Sequence, residues 1–185
     1  MKLIANDRKY LKELKVLYKE AFPKEERKPF TFIEKLRKED KCIIYTAVED
    51  EKFVGLAIIL KDENYALIDY LAVAPSMRCM GIGEKILNEL KEIYSNKCLF
   101  LERETVLNSC DNPEQRNRRR KFYLRNGFSD SGVFVNVYTV DMTLMTYGNS
   151  VSFSEYADFL KKILGEEIFN KIKVKTSDFY DENLI

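Results

Sequence analysis

The chain has 185 residues, with 31 Lys and Arg set against 30 Asp and Glu and no histidine, for a formal net charge of +1. That balance creates no long-range field to gather nucleic acid or an anionic membrane, and the missing histidine removes Ser-His-Asp and Cys-His nucleophiles, an imidazole base and imidazole metal ligands together. With 45% hydrophobic and 33% charged residues, the composition is that of a soluble globular protein, long enough for one well-buried domain, and no apolar run approaches the roughly 20 residues of a membrane span.

The first residues turn polar at Asn6 without a signal-peptide core, so a cytoplasmic protein is expected. Residues 2–5 read as a short strand. Asp7 is placed to cap a helix whose apolar face is Tyr10, Leu11, Leu14, Leu17, Tyr18 and Phe22, and Pro23 ends it. Residues 23–30 are too charged to pack and read as a loop, after which Thr31 is expected to cap a second helix running to about Asp40. Three strands follow at 42–49, 53–60 and 65–73, separated by charged turns, and they predict an antiparallel meander. Cys42, Cys79, Cys98 and Cys110 lack metal-site spacing and read as reduced thiols, mostly in the core.

The third of those strands runs into Arg78-Cys79-Met80-Gly81-Ile82-Gly83-Glu84, and a helix with Ile82, Ile86, Leu87, Leu90 and Ile93 on one face follows. A helix start offers unpartnered N–H groups and partial positive charge, glycines let a bulky anion approach them, and Arg78 adds a planar donor fork. The expected ligand is a phosphate or pyrophosphate. A dinucleotide fingerprint is excluded because Ile86 stands where its third glycine belongs, and a P-loop because no Gly-Lys-Ser/Thr is present. The alternative is that the glycines merely let the helix pack close to the sheet.

Beyond that helix, residues 97–104 predict a fifth strand, parallel to the fourth because a helix joins them. Residues 108–113 read as a polar loop, and Pro113 opens a helix that closes at Asn126-Gly127. Two strands are expected between 133 and 147, their junction near Tyr138 unassigned. Ser152 or Ser154 caps a helix bearing Tyr156, Phe159, Leu160, Ile163 and Leu164, then a short helix spans 168–174 and a polar tail 176–185.

Arg-x-x-Gly-x-Gly after a strand ending Leu-Ala-Val-x-Pro, together with Phe122-Tyr123-Leu124-Arg125-Asn126-Gly127-Phe128, resembles the two signatures of the GCN5-related N-acetyltransferase (GNAT) family in their usual order. The resemblance implies an α/β fold whose central, mostly antiparallel sheet has parallel, splayed strands 4 and 5 flanked by helices. It covers a core of residues 1–147, with 148–185 a C-terminal helical extension packed on the same domain. It further implies acetyl-CoA as co-substrate and an amine acceptor as the partners, without metal, nucleic acid or membrane, and it leaves room for a homodimer. The coenzyme set would be Leu71, Ala72, Val73, Arg78, Cys79, Met80, Gly81, Ile82, Gly83, Glu84, Asn117, Arg119, Phe122 and Tyr123. Backbone groups of Leu71 and Val73 would bond the pantetheine arm. Glu25, Glu26, Arg27 and Phe30 would border the acceptor. The family often has asparagine seven residues before the tyrosine, where this chain has Arg116 and the nearest asparagine is Asn117.

Acetyl transfer to an amine needs a neutral amine, a polarised carbonyl and a protonated leaving thiol. An alkylammonium must first lose its proton, which calls for a carboxylate nearby, directly or through water. Glu102 and Glu104 are the leading candidates, Glu25 and Glu26 the next, and at least half of the four are expected to be solvated surface charges. A backbone N–H near residues 71–73 would meet the oxyanion, and Tyr123 would protonate the thiolate with help from Arg116, Arg119 and Arg120 on its side of the helix. Otherwise Tyr123 is a packing residue. The acceptor reads as the primary amine of a small molecule, the alternative being a protein or peptide amine. Five basic residues in the six from Arg116 to Lys121 admit a nucleic-acid module, but no interleaved aromatic or recognised motif accompanies them, and the run reads as a solvated face able to touch the coenzyme's ribose phosphate. A coenzyme binder without catalysis is the remaining alternative.

Overall fold

The computed structural model describes residues 1–106, 112–137 and 140–176. The polar loop expected at 108–113, Cys110, the junction at Tyr138 and nearly all of the polar tail fall wholly or largely outside them. The chain divides into two compact units, Met1–Ser95 and Asn96–Ile185.

The first unit contains β1 (Lys2–Ala5), α1 (Leu11–Ala21), α2 (Phe30–Lys38), β2 (Cys42–Glu49), β3 (Lys52–Lys61), β4 (Tyr65–Val73) and α3 (Ile82–Ile93). Its strands lie in the order β1-β2-β3-β4, every neighbouring pair antiparallel, so the expected meander is present. β2, β3 and β4 are rich in Ile, Leu, Val and Ala because helices cover them: Leu14, Leu17 and Tyr18 of α1, Ile33 and Leu36 of α2, and Ile82, Ile86, Leu87 and Leu90 of α3 are all buried.

Two helix starts differ from expectation. Asp7 accepts from the Lys9 N–H at 2.9 Å, and that local turn uses its carboxylate before α1 opens at Leu11. α2 begins at Phe30 with Pro29, not Thr31, at its N-cap, since the Pro29 carbonyl already accepts from the N–H groups of Phe32 and Ile33 at 2.8 and 3.2 Å.

β3 and β4 change register where Ile58 faces Tyr70 and Ile59 faces Ile68. Asp69 is therefore the extra residue of a β-bulge. At the opposite end of the pairing, Gly55 faces Val73, and a Cβ on Gly55 would lie 2.6 Å from the Ala72 carbonyl oxygen, so glycine is required for the close approach of these two strands.

The second unit contains β5 (Cys98–Glu104), α4 (Pro113–Arg125), β6 (Ser129–Val137), β7 (Val140–Tyr147), α5 (Phe153–Leu164), α6 (Glu166–Ile172) and β8 (Lys175–Thr176), with strand order β5-β7-β6-β8, all antiparallel. β6 starts earlier than expected, at Ser129, and β8 was not foreseen. Ser152 caps α5 in a capping box with Glu155. Cys42 and Cys98 are buried, whereas Cys79 is exposed, because it sits in the loop that precedes α3 and not on a strand.

Candidate functional site

The predicted site residues divide between the units: 25–30 and 71–84 in the first, 102, 104 and 117–123 in the second. In the first unit, β4 stops at Val73 and a single 3-10 turn, Pro75–Met77, leads to Arg78, whose Nε donates to the Val73 carbonyl at 3.4 Å. Cys79 and Gly81 both adopt left-handed backbone, with φ of 63° and 75°. Left-handed residues within a turn are the kind of backbone from which anion-binding nests are built. Gly81 is the N-cap of α3 and contributes no side-chain cap, so the first-turn N–H groups of that helix keep their capacity for a ligand. A Cβ on Gly81 would meet nothing within 4 Å, and the Arg78, Cys79, Met80 and Glu84 side chains are exposed. The cradle is open. Lys85, turned away from it, donates to Glu49 at 2.6 Å and ties the start of α3 to the end of β2.

Leu71 and Val73 are half-buried and Ala72 is buried on β4, opposite Ala57, Gly55 and Leu56 respectively. Four bonds fasten the loop that joins α1 to α2. Tyr18 donates to the Lys28 carbonyl, the Lys28 N–H donates to the Tyr70 hydroxyl, and Tyr70 donates to the Glu26 carbonyl, each at 2.9 Å, while Lys28 Nζ pairs with Asp69 at 2.7 Å. Rings of Phe22, Tyr18 and Tyr70 meet edge-on or tilted at 4.8–5.7 Å, and Phe30 joins them at 5.8 Å from Tyr18. Burial and its bond network push the Tyr18 phenol far above the usual range. Phe30 thus lines the loop from within, Arg27 is half-buried, and the side chains of Glu25 and Glu26 are exposed.

Sequence reasoning missed Asp69. Its side chain is 7% exposed, and Oδ2 has no hydrogen-bond partner. The signal available was a carboxylate inside an otherwise apolar strand, which requires a buried cation or donor.

In the second unit, the two candidate bases of β5 have different surroundings. Glu104 pairs with Arg116 at 2.9 Å and Arg119 at 3.6 Å, and Arg116 also donates to the Thr105 carbonyl at 2.8 Å. Glu102 accepts from the Tyr156 hydroxyl at 2.6 Å. Arg103 is buried and meets Asp130 at 2.8 Å, as Arg120 does at 2.9 Å. Arg116 and Arg120 are therefore fixed in ion pairs, which corrects the reading of the whole basic run as a solvated face; Asn117, Arg118, Arg119 and Lys121 are exposed. Arg116 spends its guanidinium on β5 and does not replace the absent family asparagine in kind.

Tyr123 is half-buried, with ring contacts to Phe122 at 5.2 Å and Phe128 at 5.9 Å. Burial raises its phenol above the ordinary value and Arg119 offsets part of that, so it stays protonated across the neutral range, as a proton donor must. α4 ends in a left-handed Gly127, φ 83°, and the Phe128 N–H returns to the Tyr123 carbonyl at 3.1 Å. This closure explains the Gly-Phe pair that follows the tyrosine. Among the described residues, no group of three or more His, Cys, Asp or Glu could hold a metal ion, and no helix is long and apolar enough to cross a membrane.

Residues 40–130, which include the cradle, β5 and Tyr123, match the family described as acetyltransferase (GNAT) domain. Over these residues the chain is similar to a GNAT acetyltransferase domain. A candidate acetyltransferase of Bacillus subtilis (strain 168), YjbC, is 33% identical over 109 residues, 59% of this chain and 53% of that protein. The chain thus aligns with about half the length of that curated relative. A solved candidate GNAT acetyltransferase from Bacteroides thetaiotaomicron superposes with a TM-score of 0.72 at 20% identity, over 89% of this chain and 99% of that one. An aminoglycoside 6'-N-acetyltransferase crystallised with coenzyme A gives 0.61 at 22%, over 79% and 96%. At these identities the superpositions show a GNAT fold.

Proposed function

We propose that this protein is an acetyl-CoA-dependent N-acetyltransferase that moves an acetyl group to the primary amine of a small molecule by direct attack on the thioester. The observation that carries the reading is the open cradle from Arg78 to Glu84. Left-handed Cys79 and Gly81, an uncapped helix start and an exposed guanidinium suit a pyrophosphate, and they stand inside the residues that match a GNAT domain. The coenzyme A in the aminoglycoside enzyme supports the same donor.

In this reading Arg78 and the N–H groups at the start of α3 hold the pyrophosphate. Leu71 and Val73 offer backbone groups to the pantetheine arm, and a β4 N–H near them meets the oxyanion. Exposed Asn117 and Arg119 serve the coenzyme's phosphate end, and Phe122 packs beside Tyr123. A carboxylate takes the proton of the attacking amine, and Tyr123 delivers one to the departing thiolate as the C–S bond breaks. Glu102 is the preferred base, because accepting a proton on Glu104 would dismantle its two ion pairs. The loop of Glu25, Glu26, Arg27 and Phe30 borders the acceptor. Its clamp to Asp69 and Tyr70 favours a small, enclosed amine over an extended peptide.

Calorimetry with acetyl-CoA, followed by thiol release over a panel of polyamines, aminoglycosides, amino acids and peptide N-termini, tests the proposal. Binding with turnover on a small amine is the expected result. Turnover on peptides alone transfers the reading to a protein acceptor, and absence of coenzyme binding overturns it.

A further inference from the structure

The helices after β7 lie beyond the matched residues 40–130, and nothing so far gives them a task. α5 is firmly built: its capping box closes at Ser152, and Tyr156, Phe159, Leu160 and Ile163 are buried. Tyr156 and Phe159 set their rings edge-on to Phe100 of β5, at 6.3 and 5.5 Å. Phe100 and Glu102 are two apart and therefore share one face of the strand. The packing that seats Tyr156 on Phe100 thus carries its hydroxyl to Glu102, where it donates to Oε1 at 2.6 Å. A side chain with 0% exposure needs a partner for its hydroxyl, and a bond this short to a carboxylate is charge-assisted.

We propose that Tyr156 is a positioning residue that fixes the orientation and charge of Glu102, so that the C-terminal extension tunes the base of the reaction. The inference rests on the assignment of Glu102 as that base. Glu104 and Glu155, the carboxylates nearest in sequence to this pair, have partners of their own. Two residues along β5, Glu104 faces Arg116 and Arg119 of α4. Next to Tyr156, the Glu155 carboxylate accepts from the Ser152 N–H and hydroxyl at 2.8 and 2.6 Å. β7 places Leu144 opposite Glu102, between Thr143 and Met145, and brings no charge there. The Cys98 thiol at the start of β5 donates to the Asn149 carbonyl at 3.1 Å.

The test is Tyr156→Phe, which keeps the ring on Phe100 and removes only the hydroxyl, read first by NMR titration of carboxyl-labelled glutamate with Glu102 assigned by comparison with Glu102→Gln. A hydrogen bond to the ionised form favours that form, so the Glu102 midpoint should rise in Tyr156→Phe. In kinetics, kcat should fall about tenfold through lost alignment, the acid limb of kcat/KM should move to higher pH, and coenzyme affinity should hold. In a Glu102→Gln background, Tyr156→Phe should cause no further loss. An unchanged Glu102 midpoint overturns the proposal whatever the activity, as does an equal loss in both backgrounds. A wild type that binds acetyl-CoA but transfers to no amine refutes the acyltransferase reading and the catalytic half of this proposal, while the titration still decides the hydrogen bond.

Discussion

Gly81 allows the coenzyme reading to be tested with a matched pair of substitutions. Its φ is 75° and a Cβ there would meet nothing within 4 Å, so alanine and aspartate both take on left-handed strain of about 1–2 kcal/mol, aspartate the smaller share, and neither clashes. They differ in charge. A carboxylate about 4 Å from one phosphate charge costs ~4 kcal/mol at an effective dielectric of 20, and solvent at an exposed loop reduces this to about 2 kcal/mol, or roughly thirtyfold in affinity. At a coenzyme concentration about 100 times the dissociation constant, ligation stabilises a protein by about 2.7 kcal/mol, which for a chain of this size raises Tm by about 5–11 °C. A thirtyfold weaker site retains about 0.9 kcal/mol at the same concentration, a rise of about 2–4 °C. Thermal unfolding of Gly81→Ala and Gly81→Asp with and without acetyl-CoA reads this directly, with the alanine variant's own affinity fixing the reference. Equal ligand-induced shifts in the two variants would refute a phosphate at this cradle.

Tyr123→Phe should lower turnover by roughly a hundredfold or more if the hydroxyl is a general acid, with coenzyme affinity and stability nearly unchanged; full turnover at saturation would leave Tyr123 as a packing residue. Gly55→Ala places a Cβ 2.6 Å from the Ala72 carbonyl oxygen and 3.1 Å from Ile86 Cδ1, and should destabilise by about 1–3 kcal/mol in urea unfolding, an unshifted midpoint showing that the strands can separate without cost. Burial raises the Cys42 thiol to about 12 and the Cys98 thiol to about 11, from an ordinary value near 9. The unfolded chain therefore loses these protons first, and the associated stability, full below about pH 8.5, should decline as pH rises toward 11–12; Cys42→Val should flatten that decline between pH 8 and 11.

The legible parts of the fold were those decided by neighbours in sequence. β2, β3 and β4 appear as runs of β-branched and apolar residues between charged turns, and β4 was bounded to the residue because charged or polar residues precede it and Pro75 follows it. α4 has no buried residue, yet Pro113 and Asn126-Gly127 mark its ends by backbone chemistry alone. Register was not legible. Asp50 and Glu51 both take positive φ, 49° and 59°, in the tight turn between β2 and β3, a conformation that aspartate tolerates but that glutamate rarely adopts. Long-range pairs were equally hidden: Glu102 and Tyr156 are 54 residues apart, and nothing in the local pattern of either names the other. The cradle was readable because its residues come from one continuous stretch of chain. The two candidate bases could be named, but their difference could not, because it depends on which guanidiniums and hydroxyls the tertiary fold brings to each.

The loop between α1 and α2 shows how a charged segment can be structurally committed. Lys24, Glu25, Glu26, Arg27 and Lys28 in succession look unable to pack, and all five do remain at least partly in water. Lys28 does not behave like a surface lysine. It supplies the cation that the buried Asp69 requires, its N–H meets the Tyr70 hydroxyl, and its carbonyl accepts from Tyr18. Adjacent residues of a regular strand point to opposite faces; it is the bulge at Asp69 that lets Asp69 and Tyr70 both engage the same lysine. Removing that cation would leave a carboxylate that is 7% exposed with neither oxygen paired, a situation costly enough that the strand and loop should rearrange together. Because β4 continues directly into the cradle, the segment assigned to the acceptor and the segment assigned to the coenzyme's pyrophosphate hang on one strand. A substitution at Lys28 should therefore perturb coenzyme affinity as well as acceptor KM, whereas one at exposed Glu25 should touch the acceptor alone.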